Sequence, residues 1–294
     1  MSKIKKSTGE IIFDCFNVIV MLFIIVITLY PMLYVAFASF SDSARLLQHR
    51  GLLIKPLGFT LNAYKMVFKN PMIVKGYGNT LFIVVCGVAL NILMTSLGAY
   101  FLSRKNVMLK GPVTFLIVFT MFFGGGMVPF YLTVKDLGLT NTIWSTIIPF
   151  MISTYNMIIM RTSFAALPDS LEESAKLDGA GHFTILTRIV LPLSKAVIAV
   201  MVLYYAVDKW NGWFWASVFI RNRDLYPLQV ILREILLQND TNAMTGGINA
   251  MDQEAVSESI KYATIMVATV PVLCIYPFLQ KYFVKGVLIG SVKG

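Results

Sequence analysis

Six stretches of this chain stay apolar for about the length of a membrane-spanning helix, and polar residues collect between them. The stretches are 15–40, 76–103, 111–134, 137–160, 196–220 and 262–280. A helix needs about 20 residues to cross a hydrocarbon core of roughly 30 Å. Strand-type alternation is absent, so the backbone must be satisfied within helices and not in a barrel. The pattern predicts an all-α bundle of six transmembrane helices in a single membrane domain covering 1–294. The fifth stretch carries Asp208 and Lys209. Charge at a helix centre costs about 2.5–3.5 kcal/mol on insertion scales, so each needs a partner, a watery cavity or a route to the surface. Adjacent residues on a helix do not face each other.

Between the fourth and fifth stretches lies a polar island, 168–192. Ser170 and Glu173 have the spacing of a capping box, which predicts a helix starting at Leu171. Leu171 and Ala175 share its small apolar face. Gly179 and Gly181 are placed to stop it after about two turns. Phe183, Leu186 and Val190 then recur at helical spacing, predicting a second amphipathic segment. Pro192 follows at the first turn of the next span, where proline is tolerated. Glu172, Glu173 and Asp178 remain available to pair with basic residues elsewhere.

Composition supports the membrane reading: 57% of the 294 residues are apolar and 14% charged, against about 25% charged in a soluble domain. Six spans put both termini on one side. Placing the N-terminus, 103–111, 161–195 and 281–294 inside gives that side 13 of the 25 lysines and arginines. That division is close to even, but the inner cations sit in short segments beside span ends, where the positive-inside rule counts most. Both termini and the 166–193 loop are therefore expected in the cytoplasm. The net charge of +10 is read as basic residues meeting anionic lipid, not nucleic acid. Cys15, Cys86 and Cys274 lie within spans and lack metal-ligand spacing. The first apolar run is too long for a signal-peptide core.

Two outer loops, about 41–75 and 221–261, are substantial. In 226–237, Leu228, Ile231, Leu232, Ile235 and Leu236 fall on one helical face. This face suits either a membrane-surface cap or a dock for an external partner. The third stretch holds Gly124, Gly125 and Gly126 before Pro129. Glycine costs about 1 kcal/mol in a helix interior and proline about 3 kcal/mol. The run marks either a break lined by protein or water or close helix packing on small residues. Pro31, Pro149, Pro271 and Pro277 also lie in or near spans.

Trp210, Asn211, Trp213 and Trp215 follow Asp208 and Lys209. Aromatic faces beside amide and carboxylate groups suit a sugar, which has an apolar ring face and a hydroxyl rim; an interfacial aromatic belt has the same composition. Asn79 is a further candidate for the path, with Asn91, Asn141 and Asn156 behind it, although such residues also bond helix to helix. No Gly-Lys dipeptide occurs, so there is no Walker A lysine. His49 and His182 have no metal-ligand neighbours. A polytopic membrane enzyme would need a carboxylate, histidine or nucleophile cluster, and none appears in the sequence.

The segment Glu173-Ser174-Ala175-x-x-x-Gly179, with Asp178 and Ala180 around the glycine and Ile189-x-Leu191-Pro192 after it, resembles the EAA loop of ABC importer permeases. Ser174 departs from the usual alanine, and Ala196 stands where proline is frequent. Phe123-Gly-Gly-Gly-Met-Val-Pro, Leu137-Gly-Leu-Thr-Asn141, Trp210-Asn211-x-Trp213-Phe214, Tyr226-Pro-Leu-Gln-x-x-Leu-Arg233 and Lys285-Gly286 are similar to the carbohydrate-uptake (MalG-like) family, in its LplC/YtcP-like branch. The resemblance implies a second, different permease subunit, two cytoplasmic ATPases and an extracytoplasmic solute-binding protein. It implies ATP and Mg on the partner ATPase, no cofactor on this chain, and an oligosaccharide cargo. It assigns Glu172, Glu173, Ala175, Asp178, Gly179, Ala180, Leu191 and Pro192 to ATPase coupling. A permease for another solute, such as a peptide, and a membrane scaffold without transport are the other readings.

Overall fold

A computed structural model describes residues 7–105, 107–237 and 250–291; in the last helix it describes the side chains of 256–275 and 277. The side chain of Lys285 and the outer-loop stretch 238–249 lie outside the described residues. All regular elements among the described residues are helical. In chain order they begin with α1 (Thr8–Ser39), α2 (Ser43–Gln48), α3 (Asn62–Lys69) and α4 (Pro71–Ser103). Then come α5 (Lys110–Phe122), α6 (Met127–Asp136), two short 3-10 turns (Ile143–Thr146 and Ile148–Phe150), α7 (Thr154–Ala165) and α8 (Asp169–Leu177). The rest are α9 (His182–Leu193), α10 (Lys195–Asn211), α11 (Phe214–Phe219), α12 (Leu228–Leu237) and α13 (Ala250–Ser291).

Among the described residues, three helical stretches are long and apolar enough to cross a membrane: α1, α4 and residues 256–275 of α13. Three bent pairs reach that length only when joined. Helix α5 meets α6 at 116°, the 3-10 turns meet α7 at 46°, and α9 meets α10 at 86°. Helix α5 is 13 residues, about 20 Å at 1.5 Å per residue, too short to cross alone. Its break falls on Gly124, Gly125 and Gly126. A Cβ added at Gly124 or Gly125 meets no atom within 4 Å, and Gly126 has φ +86°. The glycine run therefore bends the chain, and among the described residues no neighbouring helix is seated on Gly124 or Gly125.

The described residues group into two compact units. One comprises residues 1–70 and 234–269. Its helix α1 starts where the Ser7 N–H donates to Glu10 Oε2 at 2.8 Å, half of a capping box. No residue in the most apolar stretch of α1 is buried within the chain. Packing begins at its C-terminal end, where Ala38, Leu46 and Leu53 form a small core with Tyr34, Phe37, Leu57 and Tyr262.

The other unit comprises 71–233 and 270–294. Here α4 is the central post. Gly76, Gly87 and Gly98 recur at intervals of three turns, so they share one face. Each admits a neighbour that a Cβ would strike: Ile231 at Gly76, Lys209 at Gly87 and Met157 at Gly98. Polar residues stitch the same region. The Thr95 and Tyr205 hydroxyls are 2.6 Å apart, and the Ser153 N–H donates to Tyr205 Oη at 3.2 Å. The apolar face of 226–237 is buried at Leu228, Ile231, Leu232 and Ile235. Leu228 and Ile231 pack on Gly76, and the Leu228 N–H donates to Thr80 Oγ1 at 2.8 Å. This face is spent on the fold, and neither a membrane cap nor a free dock describes it.

Candidate functional site

The segment 168–192 does form a short helix, a glycine turn and a second helix. Helix α8 begins at Asp169 with Pro168 at its N-cap, two residues before the expected start, and no side-chain capping bond is present. The Ser170–Glu173 pair thus lies inside the helix and does not start it. Proline fixes the entry instead, because its φ is preset and it needs no amide partner. The helix ends as a Schellman turn: the Ala180 N–H donates to Ala175 O at 2.9 Å and the Gly179 N–H to Lys176 O at 3.0 Å. Gly179 has φ +79°, a conformation that favours glycine. Gly181 has φ −74° and caps the next helix. That helix contains one π turn, Leu186–Val190. The extra residue shifts the register, so Ile185, Leu186 and Val190 are buried while Phe183 is 69% exposed. Phe183 is not on the buried face that its spacing implied.

Two side chains of the 103–110 connection hold α8. Arg104 forms an ion pair with Glu172, donates to Phe164 O at 3.3 Å and lies over the Tyr100 ring at 4.9 Å. Lys105 pairs with Asp169. Glu172 also pairs with Lys176 at 2.8 Å. Burial pushes the Glu172 carboxyl up, but its hydrogen bonds from Lys176 and Arg104 outweigh this and leave it below its ordinary value. The Lys105 hydrogen bond lowers Asp169, and Asp169 in turn raises Lys105. Within the chain, Glu172 is thus held between Arg104 and Lys176. Tyr100 Oη and His182 Nδ1 are 3.2 Å apart.

Ala175 faces inward, in the core formed by Tyr100, Met160, Phe164, Ile185 and Leu186, with Ala180 and Leu191 packed against it. Pro192 lies near the C-terminal end of α9, ahead of the 86° bend, and not in the first turn of the next span, which starts at Lys195. The outward surface is different in kind. Glu173, Asp178 and Gly179 are exposed, and Leu177 is 89% exposed. Sequence reasoning missed Arg104 and Leu177. The only signal for Arg104 was a basic pair at a span end.

The second candidate site is a cavity of about 480 Å³ at the C-terminal end of α10. Asp208, Asn211, Trp213, Phe214 and Trp215 line it, with Thr146 and Phe150 opposite. Trp215 anchors an aromatic cluster: its ring is 4.8 Å from Phe130, 6.0 Å from Phe150 and 5.2 Å from Phe219. The Arg233 guanidinium lies over the Trp213 ring at 4.6 Å. Lys209 finds its own partners, as its adjacency to Asp208 required. Its ammonium donates to Thr146 O at 2.9 Å and lies 5.3 Å from the Phe150 centroid. Asp208 is exposed.

Two candidates fall away from the cavity. Trp210 is buried, edge-on to Tyr77 at 6.2 Å, because α10 ends at Asn211 and the chain turns before Trp213. Asn79 clamps a turn, donating to Asp224 O at 2.8 Å and Tyr226 O at 3.0 Å. The other asparagines are also structural. Asn91 donates to Phe150 O at 2.7 Å. Asn141 accepts from the Arg221 and Asn222 amides at 3.1 and 2.8 Å. Asn156 is buried, and its backbone N–H donates to the Ser153 Oγ cap at 3.4 Å.

An all-helical membrane bundle with a tethered helical loop and a separate lined cavity is the architecture of a transport subunit. The chain belongs to the family described as binding-protein-dependent transport system inner membrane component, whose model matches residues 2–289. Over 285 residues it is 44% identical to the protein LplC of Bacillus subtilis (strain 168), covering 96% of this chain and 95% of that one. Over 269 residues it is 42% identical to the polygalacturonan/rhamnogalacturonan transport system permease protein YtcP of the same organism, covering 90% and 92%. A bacterial ABC transporter involved in the import of the acidic polysaccharide alginate contains a chain that superposes with TM-score 0.87 at 32% identity, covering 96% of this chain and all of that one. The resemblance first seen in the 173–192 motif is thereby upheld. The chain is a permease subunit of an ABC importer, not an enzyme, and ATP hydrolysis belongs to its partner ATPase.

Proposed function

We propose that this chain is one of two unlike permease subunits in an importer of uronic-acid-containing oligosaccharides, acting as one six-span domain with both termini in the cytoplasm. The cavity beside α10 carries the reading. It sets the indole and phenyl faces of Trp213, Phe214 and Trp215 beside the hydrogen-bonding groups of Asn211 and Asp208, and aromatic faces with a few placed polar groups are what an orienting ligand site needs. Arg233 over Trp213 supplies a cation for a sugar carboxylate. Two of the similar proteins are named for acidic polysaccharides.

The loop 166–193 seats on the cytoplasmic ATPase, which holds ATP and Mg. Glu173, Asp178 and Leu177 make the outward contact, Gly179 sets the turn, and Ala175, Ala180, Leu191 and Pro192 join the loop to the bundle. ATP-driven closure of two ATPase copies moves the loop, and α8 carries that motion through Arg104 to the end of α4. The solute-binding protein then delivers sugar to the outward-facing path. The test is uptake into proteoliposomes of the reconstituted importer with its binding protein. Oligogalacturonides should be taken up in an ATP-dependent way and a neutral maltodextrin of equal length should not. Uptake of peptides but no oligosaccharide would overturn the reading.

A further inference from the structure

The connection after α1 closes on itself into a cationic pocket. The Asp42 N–H donates to Leu57 O at 2.9 Å, the Leu57 N–H to Ser41 Oγ at 3.0 Å, and the Thr60 N–H to Phe40 O at 2.9 Å. These bonds tie both ends of the loop to the end of α1. Inside lies a cavity of about 520 Å³, lined mainly by Arg45, Gln48, His49, Lys55 and Gly58. Gly58 has φ +71°, and a Cβ there would lie 3.3 Å from Arg45 Nη1, so this glycine makes the turn and leaves room for the guanidinium. Asp42 is the one acid between residues 40 and 61, against Arg45, Arg50 and Lys55. Its carboxylate is used at the start of α2, where it accepts the Arg45 amide. Among the described residues, neither Arg45 nor Lys55 has a carboxylate partner. With three cations against one acid, the loop that forms the pocket carries net positive charge.

The depth of the pocket names the source of the anion. The Leu53 N–H donates to Tyr30 Oη at 3.1 Å. Tyr30 lies nine residues before the end of α1, about 13 Å back along the helix. Leu53 is buried beside Ala38, with Tyr34 and Phe37 packed on the same cluster. The strap thus runs back along the last turns of an apolar helix that exposes Met32 and Leu33 nearby. On either side of the buried Leu53, Leu52 and Ile54 are 70% and 75% exposed. Exposed aliphatics at the level of a spanning helix, with arginine and lysine beside them, match the boundary between acyl chains and headgroups. A free ion in solution has no use for Leu52 and Ile54.

We infer that this pocket binds the phosphate of an anionic phospholipid headgroup, with Leu52 and Ile54 set among its acyl chains. The inference rests on α1 spanning the membrane and not on which solute is imported. The test uses the assembled importer in nanodiscs and native mass spectrometry of retained lipid. Wild type is compared with Arg45→Gln/Lys55→Gln and with Leu52→Ser/Ile54→Ser, in phosphatidylglycerol and in phosphatidylcholine. Wild type should retain phosphatidylglycerol selectively. Each cation near an anionic surface is worth about a factor of five, so the charge variant should lower retention about 30-fold and abolish the headgroup preference. The apolar variant should weaken retention of both lipids. Equal retention by wild type and the charge variant would overturn the inference. So would displacement of the lipid signal by inorganic phosphate, which marks a free-anion site, or a charge variant that changes only affinity for the solute-binding protein, which marks a protein dock. Both variants alter exposed side chains, and an unchanged melting temperature checks that they fold.

Discussion

Arg104 and Glu172 lie 68 residues apart in sequence and form an ion pair whose side chains are only 13% and 15% exposed. One sits at the end of the α4 post, the other in the first turn of α8. The guanidinium also reaches Phe164 O and the Tyr100 ring. Removing one member of such a pair leaves a half-buried charge unmet, at a cost of about 1–3 kcal/mol. Arg104→Gln and Glu172→Gln should each lower the melting temperature of the permease pair, while the double variant loses less than the sum of the two. Basal ATPase activity should persist with transport uncoupled from it. Additive losses in the double-mutant cycle would show that Arg104 works through Phe164 O and Tyr100 and not through Glu172.

The same network fixes a pH window. The Glu172 and Asp169 carboxyls are held below their ordinary values. Their contribution is present above the usual carboxylate range and is lost as pH falls through the lowered values, below about 4. Lys105 and Lys176 are raised, so their contribution is present below the usual lysine value and is lost as pH rises through the raised ones, above about 10. Hydrogen exchange across 166–193, corrected for intrinsic rates, should therefore be flat from about pH 5 to 9. A drop in protection inside that window would place control of the loop in contacts other than these ion pairs.

The two faces of α8 should respond differently to substitution. Leu177 is almost wholly exposed, whereas Ala175 is buried in the bundle. Leu177→Asp should abolish co-purification of the ATPase and leave the permease pair folded. Ala175→Leu should overpack the core and destabilise the pair by about 1–3 kcal/mol. An ATPase that stays bound to Leu177→Asp would place the dock elsewhere.

Gly179 and Gly181 make a second contrast. A side chain at the left-handed Gly179 costs about 1–2 kcal/mol, while Gly181 sits at an ordinary negative φ. Gly179→Ala should speed limited proteolysis of the loop several-fold, and Gly181→Ala should leave it unchanged. Equal sensitivity of both variants would mean that the Schellman turn does not hold the loop closed.

These contrasts show how far the sequence could be read. Apolar length and the motif at 173–192 were legible because both are local, as was the glycine run at 124–126. The capping box misled because Pro168 fixed the start of α8 before Ser170 could. The 86° bend ahead of Lys195 and the π turn at 186–190 left no local signal. There, burial of Ile185, Leu186 and Val190 in one core decides the register, against the spacing that put Phe183 on the same face. Arg104 was visible only as a charge, since its partner is defined by the packing of α4 against the loop. Asn79 had the right chemistry for a path, but the turn it clamps is 145 residues away.

Trp210 and Trp213 looked equivalent in the sequence, three residues apart on an expected span. The structure separates them at Gly212, where an added Cβ would lie 3.4 Å from the Asp208 and Lys209 carbonyl oxygens. Trp210 goes into the bundle against Tyr77, and Trp213 lines the cavity beneath Arg233. Trp210→Ala should therefore act on stability, since truncating a buried tryptophan costs about 3–5 kcal/mol. Transport by whatever protein remains folded should keep its half-saturating sugar concentration. Trp213→Ala should do the reverse. An aromatic face is worth about 0.5–1.5 kcal/mol beyond burial, so the half-saturating concentration should rise about 2- to 12-fold, with the melting temperature unchanged. The measurement is oligosaccharide-dependent uptake in proteoliposomes, at saturating binding protein, alongside a thermal melt of each variant. If Trp213→Ala moves only the melt, the cavity is a packing defect of the aromatic cluster, and the sugar path must be sought in the partner permease.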